Sequence, residues 1–224
     1  MHEVLIADDH PLFRDALKRA VLQALPNATL HEADSVAALE SAIDAQPDVE
    51  LLLLDLHMPG ANGFSALVHI RSRHPVLPIV VVSAHEQVDV VRRAIAHGAS
   101  GYIPKSASVE TIVAAIRSVV DGDVWVPASA RIANVALKPA EARVAQQIAE
   151  LTPQQFRVLN MIAEGSLNKQ IAYELGVSEA TVKAHMTAIM RKLGVSNRTQ
   201  VALLASHLAV EADSVASAAG DAQA

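Results

Sequence analysis

Hydrophobic positions fall in short unbroken runs in the first half of the chain and at helical spacing in the second. Val4-Leu5-Ile6-Ala7, Leu51-Leu52-Leu53-Leu54 and Ile79-Val80-Val81-Val82 have the length of strands buried on both faces, as in a parallel sheet covered by helices. Strand-like runs lie near residues 3–8, 28–33, 50–55, 77–83 and 100–103, and helical patterns between them near 11–25, 35–45, 62–73, 86–97 and 108–120. Strands alternating with helices imply right-handed crossovers. Five of each over about 120 residues predict an α/β domain, a doubly wound five-stranded parallel sheet of flavodoxin-like type. Punctuation agrees: Pro11 suits a first helical turn, Gly98 a helix stop and Ser108 a helix cap.

Four of these runs end in polar groups: Asp8-Asp9, Asp55, Ser83, and Lys105 beyond Tyr102-Ile103. The carboxyl ends of the strands are where open α/β sheets keep their sites.

From Asp121 the pattern loosens. Gly122, Pro127 and Pro139 interrupt it, and Ala-rich segments near 128–136 and 140–150 suggest a partly helical linker over 121–150. Residues 151–211 lack strand signals and show helical blocks at 153–164, 168–175, 179–192 and 198–210, predicting a smaller all-α domain. Small and polar residues over 212–224 predict a disordered tail. Within the all-α part, Asn168–Leu175 is a short amphipathic helix, Gly176-Val177-Ser178 a tight turn, and Glu179–Lys192 a helix that Ser178 can cap. Helix, Gly-containing turn, capped helix is the order of a helix-turn-helix. A helix of ~14 residues is ~21 Å long, enough to lie across a major groove. A plain helical bundle with solvated Lys and Arg fits the same spacing.

Composition narrows the chemistry. The chain is 51% apolar but only 3% aromatic, so aliphatic side chains must fill its core. It has no Cys, which excludes disulfides, thiolate metal sites and Cys nucleophiles. No apolar run nears the ~18 residues of a membrane span, and the first residues enter a strand pattern directly, unlike a signal peptide. A cytoplasmic protein without a membrane partner is expected. Residues 1–120 carry 9 Lys+Arg against 14 Asp+Glu, and residues 151–212 carry 6 against 4. That asymmetry suggests two domains with different partners.

Asp8, Asp9 and Asp55 would meet at one sheet edge, because the first and third strands neighbour each other in this topology. Unit like charges ~4 Å apart cost about 4 kcal/mol at an effective dielectric near 20, so cations must offset them. Lys105 supplies one charge; a divalent ion binding through hard oxygens supplies two, which points to Mg2+. Such a site leaves room for a phosphoryl group that Lys105 and Ser83 could bind, with the Asp55 carboxylate attacking phosphorus in line. His10, His57 and His85 fall near the site, where surface or supporting roles suit imidazole better than ligation of Mg2+.

Asp8-Asp9, Asp55 with Met58-Pro59-Gly60, Ser83-Ala84 and Gly101-Tyr102-Ile103-Pro104-Lys105 resemble the receiver domain of two-component response regulators. The resemblance implies that Asp55 accepts phosphate from a sensor histidine kinase. It implies that Asp9, Asp55 and the backbone carbonyl of His57 hold Mg2+, with Asp8 acting partly through water. Lys105 would pair with the phosphoryl group, Ser83 would move to hydrogen-bond it, and Tyr102 would turn inward as an aromatic switch. Pro104 precedes Lys105, whereas many receivers place Pro directly after this Lys. A phosphatase of the haloacid dehalogenase type also uses an Asp nucleophile, but it wants a second Asp two residues on, where this chain has His57.

Leu151-Thr152-Pro153, Asn168-Lys169-Gln170-Ile171-Ala172, Ser178-Glu179-Ala180-Thr181-Val182-Lys183-Ala184-His185, Lys192-Leu193-Gly194-Val195 and Asn197-Arg198-Thr199 resemble the LuxR-type helix-turn-helix of the NarL/FixJ class. Departures are Gln154, where Arg is common, and Arg157, where an acid is common. The resemblance implies double-stranded DNA as partner and a homodimer addressing two half-sites, paired through the last helix. By placement, Lys183 and Thr187 suit base edges and Ala184 a thymine methyl. Lys169, Thr181, His185, Arg191, Lys192 and Arg198 suit phosphates. The expected function is a transcription regulator switched by phosphorylation of Asp55, and not an enzyme beyond assisting its own phosphorylation and dephosphorylation. The alternative is a receiver acting by protein contact, with constitutive DNA binding.

Overall fold

The computed structural model describes residues 2–130 and 137–210. The expected tail and residues 131–136 of the linker lie outside them.

Five strands, β1 (Glu3–Ala7), β2 (Thr29–Ala33), β3 (Leu51–Asp55), β4 (Ile79–Ser83) and β5 (Gly101–Pro104), form a wholly parallel sheet in the order β2-β1-β3-β4-β5. All five residues of β3 and of β4 are buried, as unbroken apolar runs require when helices cover both faces. On one face lie α1 (Pro11–Ala24) and α5 (Val109–Val120), whose Leu17, Val21, Ile112 and Ile116 pack on Ile6, Leu53 and Val82. On the other lie α2 (Val36–Ala45), α3 (Ser65–Arg73) and α4 (Val88–Ala96).

Local chemistry fixes several boundaries. Pro11 opens α1. Ser35 and Ser108 each accept a backbone N–H, from Ala38 and Thr111, to cap α2 and α5. Gly98 follows α4 in the left-handed region, φ 95°.

Beyond α5 the chain returns beside β5: Trp125 donates its N–H to the Ser100 carbonyl and accepts from the Tyr102 N–H. A single 3-10 turn, Ala128–Ala130, occupies the start of the expected Ala-rich helix. Next come α6 (Pro139–Ala149), α7 (Pro153–Ala163), α8 (Asn168–Glu174), α9 (Glu179–Leu193) and α10 (Arg198–Ser206). Thr152 and Gln155 form a capping box on α7, Ser178 caps α9, and Gly194, in the left-handed conformation, ends it. The helical pattern extended to residue 210, yet α10 ends at Ser206, where the N–H groups of His207, Leu208 and Ala209 bond three residues back, to Leu204, Ala205 and Ser206, and the turn tightens. Arg93 takes the His207 carbonyl at 3.1 Å and the Phe64 N–H takes the Leu208 carbonyl at 2.9 Å.

The apolar core is continuous across the two halves. Phe64, Ile70 and Leu77 belong to the same buried cluster as Val144 and Ile148 of α6, Phe156 and Leu159 of α7, and Leu208.

Candidate functional sites

Register assembles the first site. Ala7 pairs with Leu54, Asp55 with Val82 and Ser83 with Pro104, so Asp8, Asp55, Ser83 and Lys105 emerge together at the carboxyl edge. Asp8 and Asp55 are almost fully buried. Lys105 Nζ stands 2.8 Å from both Asp8 Oδ2 and Asp55 Oδ2, and 4.9 Å from the centre of the Phe13 ring. Burial opposes its charge, but the two carboxylates outweigh burial and hold the ammonium above its ordinary pKa. Pro104 does not displace Lys105: the Lys105 N–H donates to the Ser83 carbonyl at 2.8 Å, which continues the β4–β5 ladder past the proline.

One cation among three acids is too few. Asp8, Asp9, His10 and Asp55 each direct a ligand atom into a cluster less than 4.8 Å across. Asp9 Oδ1 and Asp8 Oδ2 are buried, their near partners being the His10 ring and the Lys105 ammonium. Three carboxylates gathered this closely fit a hard divalent cation. His10, expected at the surface or in a supporting place, is exposed at the edge of this cluster, with Nδ1 2.7 Å from Asp9 Oδ1 and its backbone N–H donating to Asp8 Oδ1 at 2.8 Å.

Behind the acids, Ser83 is buried and its Oγ accepts the His85 N–H at 3.3 Å. Tyr102 points inward and is fully buried, its hydroxyl donating to the His85 carbonyl at 2.6 Å. Burial pushes that phenol up to about 12. The His57 N–H donates to Asp55 Oδ1 at 3.1 Å, and its ring lies 4.8 Å from that of His85. Burial, then the neighbouring His85, lowers the His57 pKa, against the Asp55 charge and a hydrogen bond to the Val210 backbone.

The second site is the outer surface of α9. Val182, Met186, Ile189 and Leu193 face inward, while Lys183, Ala184, Thr187 and Arg191 are exposed and Thr181 and His185 are half-buried. Lys169 is exposed on α8. Two expected phosphate ligands are turned to the fold instead. Lys192 Nζ donates to the Glu150 carbonyl at 2.7 Å and to Gln155 Oε1 at 2.8 Å. Arg198 donates to Asn168 Oδ1 at 3.1 Å and to the Ser166 carbonyl.

Comparison with known proteins accounts for both sites. Residues 4–117 match the response regulator receiver domain and residues 149–205 the bacterial regulatory proteins of the luxR family. The chain belongs to the response regulators. The glycerol metabolism activator of Pseudomonas putida is 38% identical over 93% of this chain and 96% of its own. The nitrate/nitrite response regulator NarL of Escherichia coli K12 is 32% identical over 89% and 93%. Among solved structures, that of two RcsB dimers bound to two parallel DNAs is 25% identical, covers 92% of this chain and 98% of its own, and has a TM-score of 0.53. This response regulator thus joins a receiver to a LuxR-type DNA-binding domain. Among its described residues no helix is long and apolar enough to cross a membrane.

The two halves of the response regulator meet through residues the sequence did not single out as functional. The loop after Asp55 grips the second half: Asn160 of α7 donates to the Gly60 carbonyl, and Asn62 Nδ2 lies 3.4 Å from Asn160 Oδ1. Arg93 of α4 and His97, just after that helix, bind Glu141 of α6 at 2.8 and 2.7 Å. Burial lowers the His97 pKa, with Arg93 adding to the effect and Glu141 opposing it. On α2, Glu40 binds Arg157 of α7 at 3.1 Å. Arg157, the residue departing from the common acid, was the one visible sign of these contacts.

Proposed function

We propose that Asp55 accepts a phosphoryl group from a sensor histidine kinase, that residues 1–120 act as receiver and 151–211 as DNA-binding domain across the 121–150 linker, and that the receiver's state governs pairing of two DNA-binding domains on promoter half-sites. The observation that carries the reading is the Lys105 ammonium 2.8 Å from Asp8 and Asp55, with the loop leaving Asp55 running straight to the second half.

An Asp55 carboxylate oxygen attacks phosphorus while the P–N bond of the donor phosphoimidazole breaks, its electron pair passing to the departing imidazole. Lys105 exchanges a carboxylate contact for one to a phosphoryl oxygen and keeps its charge there. Ser83 turns its hydroxyl from the His85 N–H to the same group. Asp8, Asp9, Asp55 and the His57 carbonyl would hold Mg2+, which when bound neutralises charge on the transferring oxygens. The protein does no chemistry beyond its own phosphorylation and dephosphorylation, and works in the cytoplasm.

For DNA, the exposed Lys183, Ala184 and Thr187 suit bases, and Lys169, Thr181, His185 and Arg191 suit phosphates. Lys192 and Arg198 serve the fold first. The outer face of α9 is open while the halves are in contact, which favours two ideas: control through pairing rather than through covering the recognition helix, or, as a second reading, DNA binding that ignores phosphorylation.

Acetyl phosphate with Mg2+, followed by mass measurement, tests the first reading. We expect a base-labile gain of about 80 Da on Asp55, absent in Asp55→Asn, and tighter DNA binding in gel shifts. An unmodified Asp55 rejects the switch; a modified Asp55 with unaltered gel shifts selects the second reading.

A further inference from the structure

The contacts between the halves are of two kinds. Asn160 touches the loop that leaves Asp55, so it can sense what happens there. Arg157, one turn earlier on the same face of α7, bonds to α2. Its Nε lies 3.1 Å from Glu40 Oε2, and its Nη2 lies 3.4 Å from the Ala37 carbonyl. Glu40 is 4% exposed and its other oxygen lies 3.1 Å from Nε2 of His69, which is fully buried. Phe156, beside Arg157, stacks on the His69 ring with centroids 4.1 Å apart and planes 5° from parallel. The second half therefore supplies both the counter-charge for a buried carboxylate and the cover for a buried imidazole.

We propose that Glu40, His69, Phe156 and Arg157 form a clasp between the halves that sets how often they part in the absence of phosphate, separately from the Asn160 contact that senses Asp55. The proposal rests on the phosphorylation switch described above, with phosphate on Asp55 parting the halves so that the DNA-binding domains can pair. Glu40 without Arg157 keeps His69 at hydrogen-bond distance and Arg73 only at 4.0 Å. An acid at position 157, common in the resembled domain, would repel Glu40, so the clasp is a property of this chain rather than of the fold. A contact made only while the halves are docked shifts the docking ratio by the same factor with and without phosphate, so weakening it shows most before phosphorylation and least where phosphate has already parted the halves.

The absence of Cys makes a distance measurement direct. Spin labels on Gln23→Cys and Tyr173→Cys, both exposed, report the separation of the halves in the full chain. With no phosphodonor, Arg157→Glu should shift the closed-to-open ratio by about tenfold or more toward open, and Arg157→Gln by less. Adding Glu40→Gln to Arg157→Glu should remove the repulsion and bring the ratio back toward that of Arg157→Gln. All should converge on one distribution with acetyl phosphate and Mg2+. The clasp is overturned if both single variants match wild type without phosphodonor, or if the folded double variant stays as open as Arg157→Glu. If the double variant misfolds, Arg157→Gln, on a partly exposed side chain, carries the test alone. A wild type that ignores acetyl phosphate while Arg157→Glu still opens rejects the switch and leaves the clasp standing.

Discussion

The Phe64 N–H donates to the Leu208 carbonyl at 2.9 Å, joining the start of α3 to the end of the DNA-binding domain by backbone alone. Gly63, just before it, has φ +53°, and a Cβ there would collide with that Leu208 oxygen and lie 2.8 Å from Ala209 Cα. Only glycine allows this approach. Gly63→Ala should part the halves, costing about 1–2 kcal/mol of local backbone strain in the receiver and raising the radius of gyration. Solution scattering that superimposes on wild type would show that this contact does not hold the halves together.

Lys105 is the fixed counter-charge of the acidic edge. Lys105→Met leaves Asp8 and Asp55 buried without it, a change of the kind that costs about 3–5 kcal/mol. In EDTA, urea unfolding should show a loss of that order. Millimolar Mg2+ should recover more stability in the variant than in wild type, because a cation binding the native acids stabilises by mass action and no ammonium competes with it. Equal recovery in both proteins would argue against a divalent ion at these acids.

His97 gives the α4–α6 contact a pH dependence. Its ring Nε2 lies 2.7 Å from Glu141 Oε1, with Arg93 on the same oxygen and the Phe64 ring 5.2 Å away. Its pKa is lowered from 6.5, foremost by burial, so the folded state binds the proton less readily than the unfolded chain. The His97 contribution is then complete above pH 6.5 and is lost as pH falls through the folded-state value. His97→Gln keeps an N–H donor for Glu141 but cannot titrate. The difference in unfolding free energy between wild type and His97→Gln should shift against wild type on acidification; a flat difference would remove His97 as its source.

The parts legible in the sequence were those written locally. The β3 run Leu51–Leu54 reads as a doubly covered strand because every residue in it is apolar, and Ser108 and Ser178 announce their helices because capping needs only residues three apart. The acidic edge could be foreseen because strand order alone brings Asp8 and Asp55 together. What could not be read depends on how the halves dock. Glu40 and His69 look like ordinary helix residues until α7 buries them. Periodicity carried α10 too far, since it does not register that the N–H groups of His207, Leu208 and Ala209 bond three residues back and turn the chain toward Arg93 and Phe64. Lys192 and Arg198 carry charges suited to phosphate, and only the folded domain shows those charges turned to Glu150, Gln155, Asn168 and Ser166.

That difference in engagement separates three cations of the DNA-binding domain that look alike in sequence. Lys183 and Arg191 are exposed on the outer face of α9, whereas Lys192 is tied to the α6–α7 corner. A cation reading a base edge discriminates by about 1–3 kcal/mol, so Lys183→Ala should weaken the preferred site more than mixed-sequence DNA. A cation on phosphate acts on all sequences alike, so Arg191→Ala should weaken both equally and flatten the log–log salt dependence by about 0.9. Lys192→Ala should lower thermal stability first, with a salt slope close to wild type, because its ammonium joins the α6–α7 corner to α9. Binding isotherms at several salt concentrations, with melting curves beside them, distinguish the three. A salt slope reduced in Lys192→Ala as much as in Arg191→Ala would mean that Lys192 abandons its carbonyl partner for phosphate when DNA arrives, and that α9 binds with the α6–α7 corner released.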